Sequence, residues 1–234
     1  MKAIKNILSI CSVALLLGSC QADLLETKPY GNVAAGNMWT SENFADKGVT
    51  AIYSTLRKSY VGLGLYQMDC LGVSTDCRDA DYPIMRNTIT TSNGMFSSYW
   101  SEHYSGISRA NDAIVHLPEV DMPENKKARY MAEAKVLRAY FYYKLNIMYK
   151  GVPVYLEPVE ASECTKGQET EAAVWQVIED DLTAAINEPN LPNIYTEGSS
   201  DYGRVTKGLA YALRGKAYFC LLYTSPSPRD AHES

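Results

Sequence analysis

Histidine is scarce in this chain: three occur in 234 residues, and one of them, His232, falls in a C-terminal stretch set aside below. No Cys-x-x-Cys occurs either. With only His103 and His116 left in the body of the chain, a zinc site has no support. No cluster of basic residues is present, and 22 Lys and Arg stand against 27 Asp and Glu, a net charge of -5. That excludes the electrostatic footprint of a nucleic-acid-binding protein. Long apolar runs are absent except at residues 7–17, which are too short to span a bilayer. Glycine-rich phosphate loops, nucleophile elbows and metal-binding helix motifs are missing as well. Phenylalanine is rare, with four residues against eighteen tyrosines. Tyrosine joins an apolar ring to a polar tip, so this bias suits wet helix faces and sugar- or protein-binding surfaces. With 46% hydrophobic and 21% charged residues, the chain has the composition of a globular protein.

The ends differ from the body. Lys2 and Lys5 precede the apolar run, which closes in Leu17-Gly18-Ser19-Cys20. A basic start, a short apolar stretch and small residues before a cysteine form a lipoprotein signal over residues 1–19, with Cys20 as the lipidated first residue of the mature chain. A plain secretory signal that happens to contain a cysteine is the alternative. Several acyl chains at Cys20 anchor a protein firmly where one does not. At the other end, residues 220–234 resemble a translated sequencing adapter followed by index sequence. A natural Ser/Pro-rich tail is the rival reading. A helical pattern runs through Tyr218 and gives way, uncapped, to a segment with Pro226 and Pro228. Setting aside Lys2, Lys5, Arg229, Asp230 and Glu233 moves the net charge from -5 to -6. Of the six cysteines, Cys70, Cys77 and Cys164 then remain. Cys70 and Cys77 are close enough to pair in an exported protein, and equally fit two buried small hydrophobes.

Between the ends the periodicity is helical. Residues 20–38 read as an extended tether. Thr40 or Ser41 can cap a helix whose stripe is Ala45, Val49, Ile52, Tyr53, Leu56 and Tyr60. Residues 61–98 keep no period and carry many Gly, Asp, Ser, Thr and Asn, a long irregular segment of the kind that is usually functional or disordered. A second stripe joins Trp100, Tyr104, Ile107, Asn111, Ile114 and Leu117, and Pro118 stops it. Asp121 can cap a third helix, with Tyr130, Ala134, Leu137, Phe141, Leu145 and Met148 inward and Gly151 closing it. Residues 152–156 follow as a short extended piece. Trp175, Ile178, Leu182 and Ile186 mark a fourth helix, and Thr206 caps a fifth with Ala210, Leu213 and Ala217 inward. Five helices and no strand alternation predict an all-α fold. Serially stacked antiparallel pairs suggest a tetratricopeptide-like repeat scaffold with an irregular loop subdomain. The final helix is expected to leave its apolar face open.

Five segments, taken in order, resemble one family. They are Asp23-Leu24-Leu25-Glu26-Thr27-Lys28-Pro29-Tyr30-Gly31; Gly106-Ile107-Ser108-Arg109-Ala110-Asn111-Asp112-Ala113-Ile114; the run from Ala132 to Leu145 with Tyr149-Lys150-Gly151-Val152-Pro153-Val154; Val177-Ile178-Glu179-Asp180-Asp181-Leu182-Thr183-Ala184-Ala185; and Gly203-Arg204-Val205-Thr206-Lys207-Gly208-Leu209-Ala210. Together, behind a lipidation motif, they resemble the SusD/RagB family of outer-membrane nutrient-binding lipoproteins. The one departure is Lys150, where glycine is usual before the Gly-Val-Pro turn. Asp23 and Glu26 resemble the acidic surface-export signal of Bacteroidetes lipoproteins. The resemblance implies that residues 39–219 are the N-terminal part of a tetratricopeptide scaffold, truncated before its C-terminal half. It implies a lipid-anchored protein on the outer membrane, facing the cell exterior and partnered with a TonB-dependent transporter of the SusC type. Such a protein captures an oligosaccharide, glycoprotein glycan or peptide and performs no chemistry. No cofactor, metal or nucleic acid is implied.

The candidate ligand-binding residues are Asp76, Arg78, Asp79, Tyr82 and Trp100. A carboxylate or guanidinium takes two sugar hydroxyls while a ring covers the apolar sugar face. Asp76 and Trp100 also match, by position, residues that contribute to glycan sites in the family. The plainer readings are solvated charge for the acidic loop and core packing for Trp100. Calcium at Asp76, Asp79 and Asp81 fits no EF-hand spacing. A surface glycan hydrolase and a ligand-free helical scaffold are the rival functions. Glu179, Asp180 and Asp181 are the nearest thing to paired catalytic carboxylates, but neighbours on one helix point apart. They read as solvent-facing.

Overall fold

The computed structural model describes residues 38–63, 88, 90–159 and 161–224. From Trp39 onward these belong to one compact unit. Its elements are α1 (Glu42–Thr55), a π-helical turn (Ser59–Leu63), α2 (Gly94–His116), a 3-10 turn (Leu117–Glu119), α3 (Glu124–Tyr149), a second 3-10 turn (Ala161–Glu163), α4 (Glu171–Asn187) and α5 (Lys207–Thr224). Each helix packs chiefly on its neighbour in sequence, α1 on α2, α2 on α3, α3 on α4 and α4 on α5. That serial packing is the mark of a helical repeat scaffold, and the described residues contain no strand. None of their helices is long and apolar enough to cross a membrane.

The five helices cover the five apolar stripes, but α2 begins at Gly94 and a π-helical turn takes Ser59–Leu63, so both ends of the segment read as irregular over 61–98 are helical. Ala45, Val49 and Ile52 of α1 are buried, as are Trp175, Ile178, Leu182 and Ile186 of α4 and Ala210, Leu213 and Ala217 of α5. α3 is the central helix and is buried beyond one stripe: Ala132, Val136, Ala139 and Tyr142 join Tyr130, Ala134, Leu137, Phe141 and Leu145 in the core. Its crossing with α2 is close because Gly106 has no side chain. A Cβ there would lie 2.5 Å from the Phe141 ring. On α5, Leu209, Tyr211, Tyr218 and Phe219 stay exposed, the open face expected from the sequence.

Of the caps the sequence offers, Thr206 serves α5, its hydroxyl accepting from the Leu209 N–H at 3.4 Å. Thr170 caps α4, its hydroxyl accepting from the Ala173 N–H at 3.1 Å, and Asn93 caps α2 through the Met95 N–H at 2.9 Å. Ser41 occupies the cap position of α1 without a side-chain bond. Asp121 is not the cap of α3. That place belongs to Pro123, whose carbonyl accepts from the Lys126 and Lys127 N–H groups. Gly151 closes α3 as the sequence suggests, directly after the C-cap Lys150, with Lys150 in the left-handed region at φ 56 and Gly151 at φ 104. A side chain at Gly151 would meet the Glu169 carbonyl at 2.3 Å. Buried Asn146 ties off the turn, accepting from the Gly151 N–H at 2.9 Å and donating to the Glu171 carbonyl at 3.1 Å.

Two buried polar groups hold the stack. Glu133 on α3 is wholly buried, accepting from the Tyr53 hydroxyl of α1 at 2.7 Å and from Arg204, just before α5, at 3.0 Å. Arg204 also pairs with Asp46 at 2.8 Å and Asp201 at 3.1 Å, and lies over the Tyr130 and Tyr53 rings. Burial pushes the Glu133 carboxyl above the ordinary carboxylate range against the pull of these partners. His103 on α2 is also wholly buried, stacked on Tyr99 at 4.1 Å with its Nδ1–H donating to the Tyr99 carbonyl at 2.7 Å. Its Nε2 has no partner among the described residues. Burial lowers its pKa from 6.5 to about 4, with the Lys144 charge adding to the effect.

Two stability predictions follow from these groups. Glu133→Ala leaves Arg204 short of its buried partner and is expected to cost roughly 3 kcal/mol or more in denaturant unfolding. A loss under about 0.5 kcal/mol, the scale of an exposed pair, contradicts the assignment. His103 is neutral in the folded state, so the stability it supports is full above pH 6.5 and is lost as pH falls toward 4. The complete loss is roughly 3 kcal/mol. His103→Phe is expected to flatten the fall in unfolding free energy across that window, and equal slopes in the two proteins contradict it.

Candidate glycan-binding cleft

The helical period puts Trp100, Tyr104, Ser108 and Asn111 on one side of α2, and a cleft of about 510 Å³ opens along it. The facing wall is the segment joining α3 to α4, which contributes Pro153, Tyr155, Glu157, Val159, Cys164 and Lys166. Trp100 is half-buried and packs at 4.9 Å on Tyr104 and edge-on at 5.0 Å on Tyr149. Tyr104 in turn meets Tyr155 edge-on at 6.3 Å. Three rings therefore line one trough. Two of them are fixed through polar contacts. The Tyr104 hydroxyl donates to the Pro153 carbonyl at 2.6 Å, and burial raises its pKa well above the phenol range. Tyr155 takes a contact from the Lys166 ammonium, 5.2 Å from its ring centroid, while that ammonium donates to the Val154 carbonyl at 3.0 Å.

The segment 152–170 behaves as a strap with a fixed base. Its two legs lie together, the Glu169 N–H donating to the Val152 carbonyl at 3.4 Å and Gln168 to the Gly151 carbonyl at 2.9 Å. The Tyr142 hydroxyl of α3 donates to the Tyr155 carbonyl and accepts from the Tyr155 N–H, both at 2.8 Å. Burial, the main cause, pushes the Tyr142 hydroxyl pKa up to about 12. Asn111 of α2 donates to the carbonyls of Tyr155 at 2.9 Å and Glu157 at 3.2 Å. Arg138 of α3 reaches the Leu156 carbonyl at 3.1 Å and the Asn111 side-chain oxygen at 2.8 Å. Beyond this base the strap residues 156–159 and 162–170 are exposed. Behind it lies a second cleft of about 610 Å³, lined chiefly by aliphatic residues such as Val154, Leu156, Val159 and Val177.

Arg138 does more than fill a repeat interface. It grips Asp181 of α4 bidentately, both bonds at 2.7 Å, with both residues buried. This corrects the reading of Asp181 as solvent-facing. It lies three residues after buried Ile178 and so on the inward stripe of α4. Burial pushes its carboxyl upward while Arg138 pulls it down. Asp180 is exposed and accepts from Gln176. The two neighbours do not face a common cleft.

Of the ligand-binding candidates, Trp100 lines the cleft, on a helix stripe yet short of full burial. Asp76, Arg78, Asp79 and Tyr82 lie outside the described residues, as do Cys20, Cys70, Cys77 and Asp81. Tyr104, Tyr155, Asn111, Glu157 and Lys166 were not among the candidates. Tyr104 is legible as the i+4 neighbour of Trp100. The strap residues become neighbours of α2 only through the tertiary fold. Among the described residues no group of three or more His, Cys, Asp or Glu is placed to hold a metal ion.

Known proteins share this architecture. A family model described as SusD-like, starch-binding associating with outer membrane, matches residues 24–219. The SusD-like protein P38 of Formosa agariphila is 28% identical over 211 residues, covering 86% of this chain and 40% of its own length. The structure of a laminarin-binding SusD-like protein superimposes with a TM-score of 0.66 at 35% identity, covering 77% of this chain and 40% of that one. Surface glycan-binding protein A from Bacteroides uniformis gives a TM-score of 0.65 at 27% identity, over 80% of this chain and 47% of that one. The chain spans about 40% of the length of the curated relatives it matches. Five serially packed helices, the Gly-Val-Pro turn that opens the strap and a family match over nearly the whole body lead to one assignment: the chain belongs to the SusD-like family.

Proposed function

We propose that the chain captures a glycan in the cleft between α2 and the strap, and does so without cleaving it. The observation that carries this is the trough of Trp100, Tyr104 and Tyr155 beside Ser101, Ser108, Glu157 and Lys166. Aromatic faces cover the apolar faces of sugar rings, and the polar rim meets their hydroxyls. A family described as starch-binding and a similar structure named for laminarin binding support a glucan as ligand. Asp180 and Asp181, the neighbouring carboxylates of α4, are not a catalytic pair: Asp181 is held in the core by Arg138 and Asp180 is exposed on Gln176, whereas glycoside hydrolysis needs two carboxylates flanking one bond. This favours capture over a hydrolase at those residues.

The wider reading rests on the family. The signal at residues 1–19 directs export and is removed, and lipid on Cys20 anchors the mature protein to the outer membrane, facing outward. There it delivers its ligand to a TonB-dependent transporter of the SusC type. In this reading residues 20–38 are a tether, and Asp76, Arg78, Asp79 and Tyr82 of the irregular segment add hydrogen bonds to the same ligand. Residues 220–224 do not stand apart: they continue α5, with Cys220 and Leu221 packed against the core.

Affinity electrophoresis in laminarin and in starch is expected to retard the chain in at least one of them. Trp100→Ala is expected to weaken that binding roughly tenfold or more, the effect of losing a central aromatic anchor. Equal retardation of wild type and Trp100→Ala, or none in either polysaccharide, contradicts glucan capture at this cleft. For the anchor, Cys20→Ala is expected to move the protein out of the outer-membrane fraction, and retention there contradicts lipidation at that residue.

A further inference from the structure

The strap wall of the cleft is held from behind by charge. Asp181 on α4 binds Arg138 on α3 through two bonds of 2.7 Å, and Arg138 extends to the Asn111 oxygen at 2.8 Å and the Leu156 carbonyl at 3.1 Å. Asn111 then presents both hydrogens of its amide to the strap, at the Tyr155 and Glu157 carbonyls. A side-chain amide has two donor hydrogens, so both are engaged and neither is left for a ligand. Asp181 and Arg138 do not line the cleft at all. From these contacts we propose that Asp181, Arg138 and Asn111 form a buried positioning relay that fixes the strap against α2 and thereby sets the affinity of the cleft for its glycan.

Three consecutive strap carbonyls, those of Tyr155, Leu156 and Glu157, are caught by this relay. The strap residues that line the cleft on either side of the Leu156 carbonyl are Tyr155, whose ring meets Tyr104, and Glu157 at the rim. An unconstrained strap would have to be ordered at each binding event, and the entropy of ordering it would be subtracted from the affinity. Arginine suits the post because its planar fork can bind a carboxylate bidentately while its remaining donor reaches elsewhere. The bidentate grip on Asp181 fixes the direction in which that donor points. The relay therefore passes the α3–α4 packing on to a binding surface that neither ion-pair partner touches.

The inference rests on the cleft being the glycan site, and two readouts separate the two claims. Hydrogen exchange over residues 152–159 reports the strap without any ligand, and laminarin affinity reports the site. In the whole chain purified in detergent, Asp181→Asn removes the charge of a residue that does not line the cleft. Asn111→Asp keeps its shape and its Arg138 contact but turns a carboxylate toward two strap carbonyls. Both are expected to speed exchange over 152–159 and to weaken laminarin binding roughly tenfold, with helical content retained. Trp100→Ala is expected to weaken binding while exchange in the strap stays at the wild-type rate. If Asp181→Asn does not fold, Asn111→Asp decides alone. Unchanged strap exchange overturns the relay, and so does faster exchange with undiminished laminarin binding. Laminarin binding that is indifferent to Trp100→Ala overturns the site instead.

Discussion

A single buried ion pair, Arg138 with Asp181, sits where the repeat scaffold and the candidate binding surface meet. Two charges taken out of water recover little net stability by attracting one another, and a well-packed apolar pair of the same volume would often do as well. What a bidentate pair supplies is direction. Here it sets α3 against α4 in one register and aims the remaining arginine donor at the strap and at Asn111. The second buried cluster, Glu133 with Arg204 and Tyr53, does similar work across α1, α3 and the entry to α5. The scaffold is thus stitched at two levels of α3, its most enclosed helix.

This arrangement divides labour along the chain. Serial packing makes each helix depend mainly on its neighbours, which suits a stiff platform. Binding surfaces are commonly placed on loops that such a platform positions. The strap after the Gly-Val-Pro turn is one such loop, with a base held by Tyr142, Asn111 and Arg138 and an exposed crest. Gly151 starts it with a positive φ, next to a carbonyl that leaves no room for a side chain. Lys150, just before it at φ 56, is the one non-glycine residue with a positive φ among the described residues, so the chain carries backbone strain there that a glycine would avoid.

Helix positions and inward stripes were legible because long amphipathic segments leave a periodic record, and the resemblance to one repeat family implied how they stack. The polar core was less legible. Asp181 and Glu133 both stand on the buried stripes of their helices, but residue type argues for solvent, and only the arriving arginines make burial tolerable. The same limit applies to the site. Trp100 and Tyr104 share a helix face and can be paired from spacing alone, whereas Tyr155, Glu157 and Lys166 come to them across about fifty residues of chain. The acidic segment at Asp76 to Tyr82 lies outside the described residues, so its part in binding stands as proposed.

The most direct measurement is a crystal structure of the chain grown with a laminarin oligosaccharide. The account predicts sugar rings stacked on Trp100, between α2 and a strap whose Tyr155 and Glu157 carbonyls still meet Asn111. An oligosaccharide seated on another surface, with the Trp100 cleft empty, would contradict it.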